Sequence, residues 1–157
     1  MGMMYTATMD LTAEAAAVDI LELLAPADSV VVIHSVTVTQ KTEAGDAEAE
    51  MLELVYKRIT GAPTSGSGGT TGSSPLEFGS PAAGSVVEMG NDTKLTGGTS
   101  AVLIREDFNV QVGHFHRPTP EERIVLSPSQ RLVIELVAAA ADALDLHASI
   151  IFEEIGG

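Results

Sequence analysis

The sequence predicts an all-β protein, a single-domain antiparallel β-sandwich with a jelly-roll-like arrangement of its strands. Three observations predict this fold class. Apolar and polar residues alternate along most of the 157-residue chain, β-branched residues concentrate in the alternating runs, and stretches rich in Gly and Pro separate them. No helical pattern alternates regularly with these runs, so a parallel sheet is not indicated. Eight or nine strands are expected, and eight strands favour a jelly roll.

The first strands are expected at residues 5–12, 19–25, 29–40 and 52–57. In the first of them Tyr5, Ala7, Met9 and Leu11 alternate with polar residues, as in a strand with one buried face. Residues 13–24 are rich in alanine, and there helix propensity competes with the strand context.

Residues 61–84 interrupt this pattern with a stretch of Gly, Ser, Thr and Pro. Such a composition contributes little to a core and predicts a long exposed loop. Leu76 and Phe78, near its middle, are apolar exceptions that could attach the loop to its own domain or to a neighbour.

After the loop, strands are expected at residues 85–89, 102–112, 123–126, 131–137 and 146–155. Ser127, Pro128, Ser129 and Gln130 form a strong turn signal, so residues 126–132 are interpreted as a hairpin. Residues 137–146 are again rich in alanine, and a short helix competes with a strand there.

Composition excludes several classes of function. The chain carries 22 acidic and 8 basic residues, a formal charge of −14, so binding to nucleic acid through a basic face is not expected. It has no cysteine, which removes thiol nucleophiles and cysteine-ligated metal centres. Neither a signal peptide nor a membrane span is indicated, and no cofactor is expected.

The sharpest local motif is a pair of histidines at the end of a strand. His114 and His116 stand two residues apart and point to the same side, a geometry that can chelate a metal, with Glu121 as a possible third ligand. This His-x-His-x4-Glu spacing resembles the first motif of cupins, which are jelly-roll metalloenzymes. The cupin glycine five residues before the first histidine is replaced by Asn109, and the downstream Pro-x-Gly-x2-His block is missing. We therefore expect an ordinary exposed pair of histidines and no metal.

The remaining motifs do not indicate an enzyme. The glycines of residues 66–72 lack the lysine and the helix start of a phosphate-binding loop and predict a flexible tip. The carboxylates of Glu43, Asp46, Glu48 and Glu50 lack calcium-loop spacing and predict a solvated acidic face. No Gly-x-Ser-x-Gly elbow is present.

In its layout the chain resembles the head decoration, or cement, proteins of tailed bacteriophages, which have jelly-roll-like sandwiches. An opening strand MMYTATMDLTAE precedes the run that begins VVVIHSVTVTQ, and the Gly/Ser/Thr/Pro loop follows. The closing part, ERIVLSPSQRLVIELVAAAADALDLHASIIFEEIG, places a Pro turn before an apolar strand and an acidic-ended last strand. The resemblance spans most of the 157 residues.

This resemblance implies a non-catalytic structural protein of the virion, made in the host cytoplasm, that binds the exterior of the capsid and stabilises it. Its partners would be the major capsid protein and copies of itself, with a trimer favoured, and neither nucleic acid nor a membrane. Candidate capsid contacts are residues 1–8, a possible extended arm with Met4 and Tyr5, and the loop with Leu76 and Phe78.

Other functions remain open at this point. The chain could be a different phage structural accessory, such as a tail or fibre protein. A cupin-like metal-dependent enzyme would use His114, His116 and Glu121. A binding module of a cell surface or secretion machine is a third possibility.

Overall fold

The computed structural model describes residues 2–14, 16–41, 50–141 and 143–156. Within these ranges the chain forms two antiparallel sheets and, as its only helix, a 3-10 turn at Pro120–Glu122. The prediction of an all-β, two-sheet architecture is confirmed. The strands are β1 (Met3–Glu14), β2 (Asp19–Leu24), β3 (Ser29–Gln40), β4 (Met51–Thr60), β5 (Thr70–Thr71), β6 (Ser74–Pro75), β7 (Val86–Asn91), β8 (Thr99–Asn109), β9 (His114–His116), β10 (Val125–Leu126), β11 (Arg131–Leu136) and β12 (Leu144–Gly156).

Each sheet has six strands. Sheet A has the order β10-β3-β12-β1-β6, and β9 pairs with β3 alongside β10. Sheet B has the order β5-β7-β2-β11-β4-β8. The last strand, β12, therefore lies between β1 and β3, with Met3 opposite Glu154 and Val38 opposite Ala148.

The inward faces of both sheets share one aliphatic core. Period-two alternation is clearest in β12, where every second residue from Leu144 to Phe152 is buried. Tyr5 and Phe152, two of the few aromatic residues, stack with ring centroids 5.5 Å apart and are fully buried. Burial of each such large side chain contributes about 1.5–3 kcal/mol.

The alanine-rich stretches form no helix where they are described. Residues 19–24 of the first stretch form β2, because Ile20, Leu21 and Leu23 are buried in the core. Residues 137–141 of the second stretch lie outside any helix or strand, and β12 begins at Leu144. In residues 19–24 the burial of these three side chains therefore favours a strand.

The predicted hairpin at residues 126–132 is wrong, although the turn within it is present. Gln130 N donates to Ser127 O at 3.0 Å, and Ser129 has a φ of +63°. The flanking strands nevertheless belong to different sheets, because β10 pairs with β3 and β11 pairs with β2 and β4. The turn crosses the edge of the sandwich and lets Leu126 and Leu132 enter the core from opposite sheets.

Residues 61–84 are mostly exposed, but they contribute to both sheets. β5 extends sheet B beyond β7, and β6 extends sheet A beyond β1. Because only Gly72 and Ser73 separate β5 from β6, the chain passes directly from one sheet to the other. We call the side of the sandwich at β5 and β6 the closed side, and the side at β8 and β10 the open side.

Candidate functional site

The histidine motif lies at the interior of the sandwich. β9 pairs with β3 and turns His114 toward sheet B, where it is only 5% exposed. Its Nε2 lies 2.7 Å from the Tyr56 hydroxyl of β4, and its Nδ1 lies 3.2 Å from a Glu106 carboxylate oxygen of β8. The expectation of an exposed histidine pair is therefore wrong for His114, which joins the two sheets.

The surroundings of His114 determine its protonation. Burial lowers its pKa, the nearby Glu106 carboxylate opposes this effect, and burial is the larger influence. The imidazole is therefore neutral at pH 7, and we infer that the proton is on Nδ1, facing the carboxylate. Nε2 then accepts a hydrogen bond from Tyr56, whose pKa burial raises far above its ordinary value.

His116 points to the same side as His114, as the spacing predicts. Its ring centroid lies 5.2 Å from that of Tyr56, and its buried Nε2 has no hydrogen-bond partner in the described part of the chain. Glu121 lies in the exposed 3-10 turn that follows β9. The described residues contain no group of three His, Asp or Glu side chains that could hold a metal ion, so the cupin-like set is not brought together.

The acidic run before β4 is described only at its end. Glu43, Asp46 and Glu48 lie outside the described residues. The Glu50 carboxylate accepts a hydrogen bond from Ala141 N at 2.9 Å. This carboxylate therefore caps a neighbouring backbone segment.

The N-terminal segment is a strand of sheet A and not an extended arm. From Met3 onward it pairs with β12 on one side, and Thr6 and Tyr5 pair with β6 on the other. Tyr5 is fully buried, so its prediction as a capsid contact is wrong. Met4 points away from the core and is half-buried.

The other candidate contacts form an exposed apolar surface on the closed side. Leu76 N donates to Met4 O at 2.9 Å, which holds the residues after β6 against β1. Leu76 is 52% exposed and Phe78 is fully exposed. We call Met4, Leu76 and Phe78 the apolar patch.

A buried carboxylate fixes the end of this segment, just before the chain enters β7 of sheet B. Glu154 accepts hydrogen bonds from Gly84 N at 3.1 Å and Ser85 N at 2.6 Å. Since Glu154 lies opposite Met3 in the β1–β12 ladder, both ends of the segment that carries Leu76 and Phe78 are fixed to sheet A. The apolar patch therefore has a defined position, as a docking surface requires.

Sequence reasoning missed a polar cluster on the outer face of sheet B. The Glu22 carboxylate, 1% exposed, pairs with Arg131 and accepts from the Ser65 hydroxyl at 2.6 Å and from Gly66 N at 3.1 Å. These hydrogen bonds attach Ser65 and Gly66, near the start of residues 61–84, to β2. The signal that could have revealed it is a charged residue inside the otherwise apolar run of β2.

A second pair of contacts continues this cluster toward β4. Glu135 pairs with Lys57 and Lys94. Burial alone would raise the pKa of Glu135, but the two lysines outweigh it and hold that pKa below its ordinary value. Nearby, burial raises the pKa of Asp19, which accepts from Leu95 N at 2.7 Å. These contacts attach residues 92–98 to sheet B.

Comparisons with protein-family models, with curated proteins and with solved structures found no match to this chain. A search of the described residues for helices found none of the length and apolarity needed to cross a membrane.

Proposed function

We propose that this protein is a capsid decoration protein, which binds and stabilises the outside of a tailed-phage head without catalysing a reaction. The observation that carries the proposal is the apolar patch: Leu76 and Phe78 are exposed on a segment whose two ends are hydrogen-bonded to sheet A. An exposed apolar surface held in one place is typical of a protein-binding site.

The strand order supports the finer prediction of a jelly roll. With β9 and β10 taken together as one strand and the short β5, β6 and the added β7 set aside, eight strands remain. In chain order, sheet A then contains the first, eighth, third and sixth strands, and sheet B the second, seventh, fourth and fifth. This is the arrangement that two Greek keys produce in a jelly roll.

The charge of the chain is consistent with a place on the capsid exterior. A formal charge of −14 keeps the protein away from packaged DNA and in solution before assembly. We propose the major capsid protein as the partner, with homo-oligomers, most simply trimers, on the shell. In this proposal Met4, Leu76 and Phe78 contact the capsid.

The experiment is a binding assay with heads of the tailed phage that encodes the chain, stripped of their outer proteins. The purified protein is mixed with these heads and sedimented through a sucrose gradient. We expect it to sediment with the heads at a saturating ratio and to raise the temperature at which they disrupt. Failure of the folded protein to sediment with the heads at any concentration would contradict the proposal.

A pair of variants tests the role of the apolar patch. Leu76→Ser with Phe78→Ser should weaken head binding by at least about ten-fold, because interface aromatics commonly contribute about 2 kcal/mol or more. Val112→Ser is the matched control, since Val112 is 72% exposed in a turn outside the patch. Equal binding by the two variants would show that another surface meets the capsid.

A further inference from the structure

The open side of the sandwich contains a groove that the proposed function does not use. Its volume is about 350 Å³, and it lies between β8, the edge of sheet B, and the residues that lead into β10, at the edge of sheet A. Its apolar lining comes from both edges: Leu103, Ile104, Ile124 and Val125. Leu103 and Val125 are 37% and 50% exposed, so this lining faces solvent.

A β-bulge shapes the β8 wall of the groove. Tyr56 lies opposite Ile104 and Lys57 lies opposite Val102, which leaves Leu103 as an extra residue in β8. A bulge of this kind re-aims a side chain, so the successive residues Leu103 and Ile104 both reach the groove. The outer edge of the eleven-residue β8 has no strand beside it in the described part of the chain.

The charge of the groove is opposite to that of the chain. Five of the eight basic residues form ion pairs with carboxylates: Lys41, Lys57, Lys94, Arg105 and Arg131. The other three, Arg58, Arg117 and Arg123, have no carboxylate partner among the residues that the structure describes. Two of these three, Arg58 and Arg123, line the groove.

The guanidinium of Arg123 has a hydrogen-bond donor without an acceptor. Its Nε is buried and has no hydrogen-bond partner in the described ranges. Glu122, the one acidic residue in the lining, already accepts from the Thr119 hydroxyl at 3.0 Å. A buried donor without an acceptor is costly, and a carboxylate is the acceptor that a guanidinium binds most strongly.

We propose that this groove binds an extended, carboxylate-bearing segment of a partner protein, which adds to the free edge of β8 as a strand. Main-chain hydrogen bonds to β8 would supply affinity, and alternate side chains of the segment would enter the groove. Apolar side chains would contact Leu103 and Val125, and an acidic side chain would contact Arg58 and Arg123.

The first test uses a fluorescein-labelled peptide with the sequence Thr-Val-Thr-Glu-Thr-Val-Thr and fluorescence anisotropy with the unmodified protein. Peptides with Lys or Gln in place of the Glu are the controls. We expect the Glu peptide to bind at least about ten-fold tighter than the Lys peptide, with the Gln peptide between them. Equal affinities of the Glu and Lys peptides would overturn the proposal.

Variants of the protein locate the binding site. Arg58→Gln with Arg123→Gln should weaken binding of the Glu peptide by about ten-fold or more, whereas Arg117→Gln should change it by less than about two-fold. Arg117 is the matched control because it is exposed, lacks an ion partner in the described ranges and does not line the groove. A loss in Arg117→Gln equal to that of the double variant would contradict a site in the groove.

Two further measurements distinguish peptide binding by Arg58 and Arg123 from a structural or an oligomeric role of the same residues. The double variant should unfold at the same or a higher temperature, because it removes a buried donor without a partner; a lower unfolding temperature would indicate a structural role for these arginines. Sedimentation velocity should show the same oligomers for both proteins. Loss of an oligomer in the double variant would instead make a second copy of this chain the occupant.

This proposal does not depend on the role of the apolar patch. The groove and the patch lie at opposite edges of sheet A, where the end strands are β10 and β6. Phe78→Ser should therefore leave peptide binding unchanged. Weaker binding of the Glu peptide by this variant would place the peptide at the apolar patch.

Discussion

The two sides of this sandwich differ in whether a further strand is added at the edge of each sheet. On the closed side, one segment supplies β5 to sheet B and β6 to sheet A, so two residues of β7 and two residues of β1 have an added strand beside them. On the open side, β8 and β10 have no added strand in the described part of the chain, and a groove lies between them.

The difference shows what a long connection can do in a β-sandwich. An uncovered edge strand presents unpaired N–H and C=O groups that can pair with another chain. Residues 61–84 reduce this possibility on one side, where they pair with part of β7 and of β1, and they expose Leu76 and Phe78 there. The closed side therefore offers side chains to a partner, whereas the open side offers a backbone edge and two arginines.

The largest expected effect comes from releasing the covering segment. Glu22→Ala removes the carboxylate that binds Arg131, Ser65 and Gly66, and leaves the mostly buried guanidinium without its ion partner. We expect the free energy of unfolding to fall by about 3–5 kcal/mol, measured by urea denaturation. Glu53→Ala, which breaks the exposed pair with Arg105, should cost less than about 1 kcal/mol. Similar losses in both variants would contradict the anchoring role of Glu22.

A smaller loss of stability is expected where Gly90 of β7 packs against β1. Gly90 of β7 has a φ of +67°, and a Cβ there would overlap a Leu11 methyl and lie 3.0 Å from Met9 Cε. Gly90→Ala should cost about 2–4 kcal/mol in thermal or urea unfolding. Gly79→Ala is the control, because Gly79 also has a positive φ but faces open space, and it should cost about 1 kcal/mol. Equal costs would show that Leu11 and Met9 make room for the added Cβ at position 90 and would contradict the predicted overlap.

A pH-dependent loss of stability is expected at His114, which lies beneath the open side. Burial lowers the pKa of His114 in the folded protein, so the unfolded chain binds a proton more readily. The contribution of neutral His114 is therefore complete above pH 6.5, its ordinary pKa, and is lost as the pH falls through the lower folded value. In urea titrations below pH 6.5, stability should decline less steeply for His114→Gln than for the unmodified protein. Identical slopes would refute this linkage.

The smallest effect on stability is expected at the tip of the apolar patch. Because Phe78 is fully exposed, Phe78→Ser should change the free energy of unfolding by less than about 0.5 kcal/mol. Thermal unfolding measures this directly. A large destabilisation would assign Phe78 to internal packing and remove it from the docking surface.

The period-two pattern predicted the strands because each of them buries one face. In β12 the alternation from Leu144 to Phe152 is visible in both the sequence and the burial of the chain. The same pattern cannot distinguish a hairpin from a crossover. Residues 127–130 have the composition of a tight turn in either case, and only the burial of Leu126 and Leu132 in opposite sheets decides between them.

The candidate sites were harder to predict, for a related reason. The spacing of His114 and His116 correctly placed them on one side of a strand, but not on the side that faces Tyr56. Tyr5 alternates correctly with its neighbours, and this alternation is the reason that it is buried and cannot contact a capsid. The covering role of residues 61–84 depends on pairing with distant strands, which local composition does not reveal.

The position of β12 has a consequence for the order of folding. Sheet A is built around this strand, because β1 and β3 pair with β12 and not with each other. The strands of sheet B all precede β12 in the chain, so their ladders can form earlier during synthesis. Residues near Met3 pair with residues of β12 that lie about 150 positions later in the chain. Closure of so long a loop makes folding slow, because β1 and β3 lack the strand between them until β12 pairs with both.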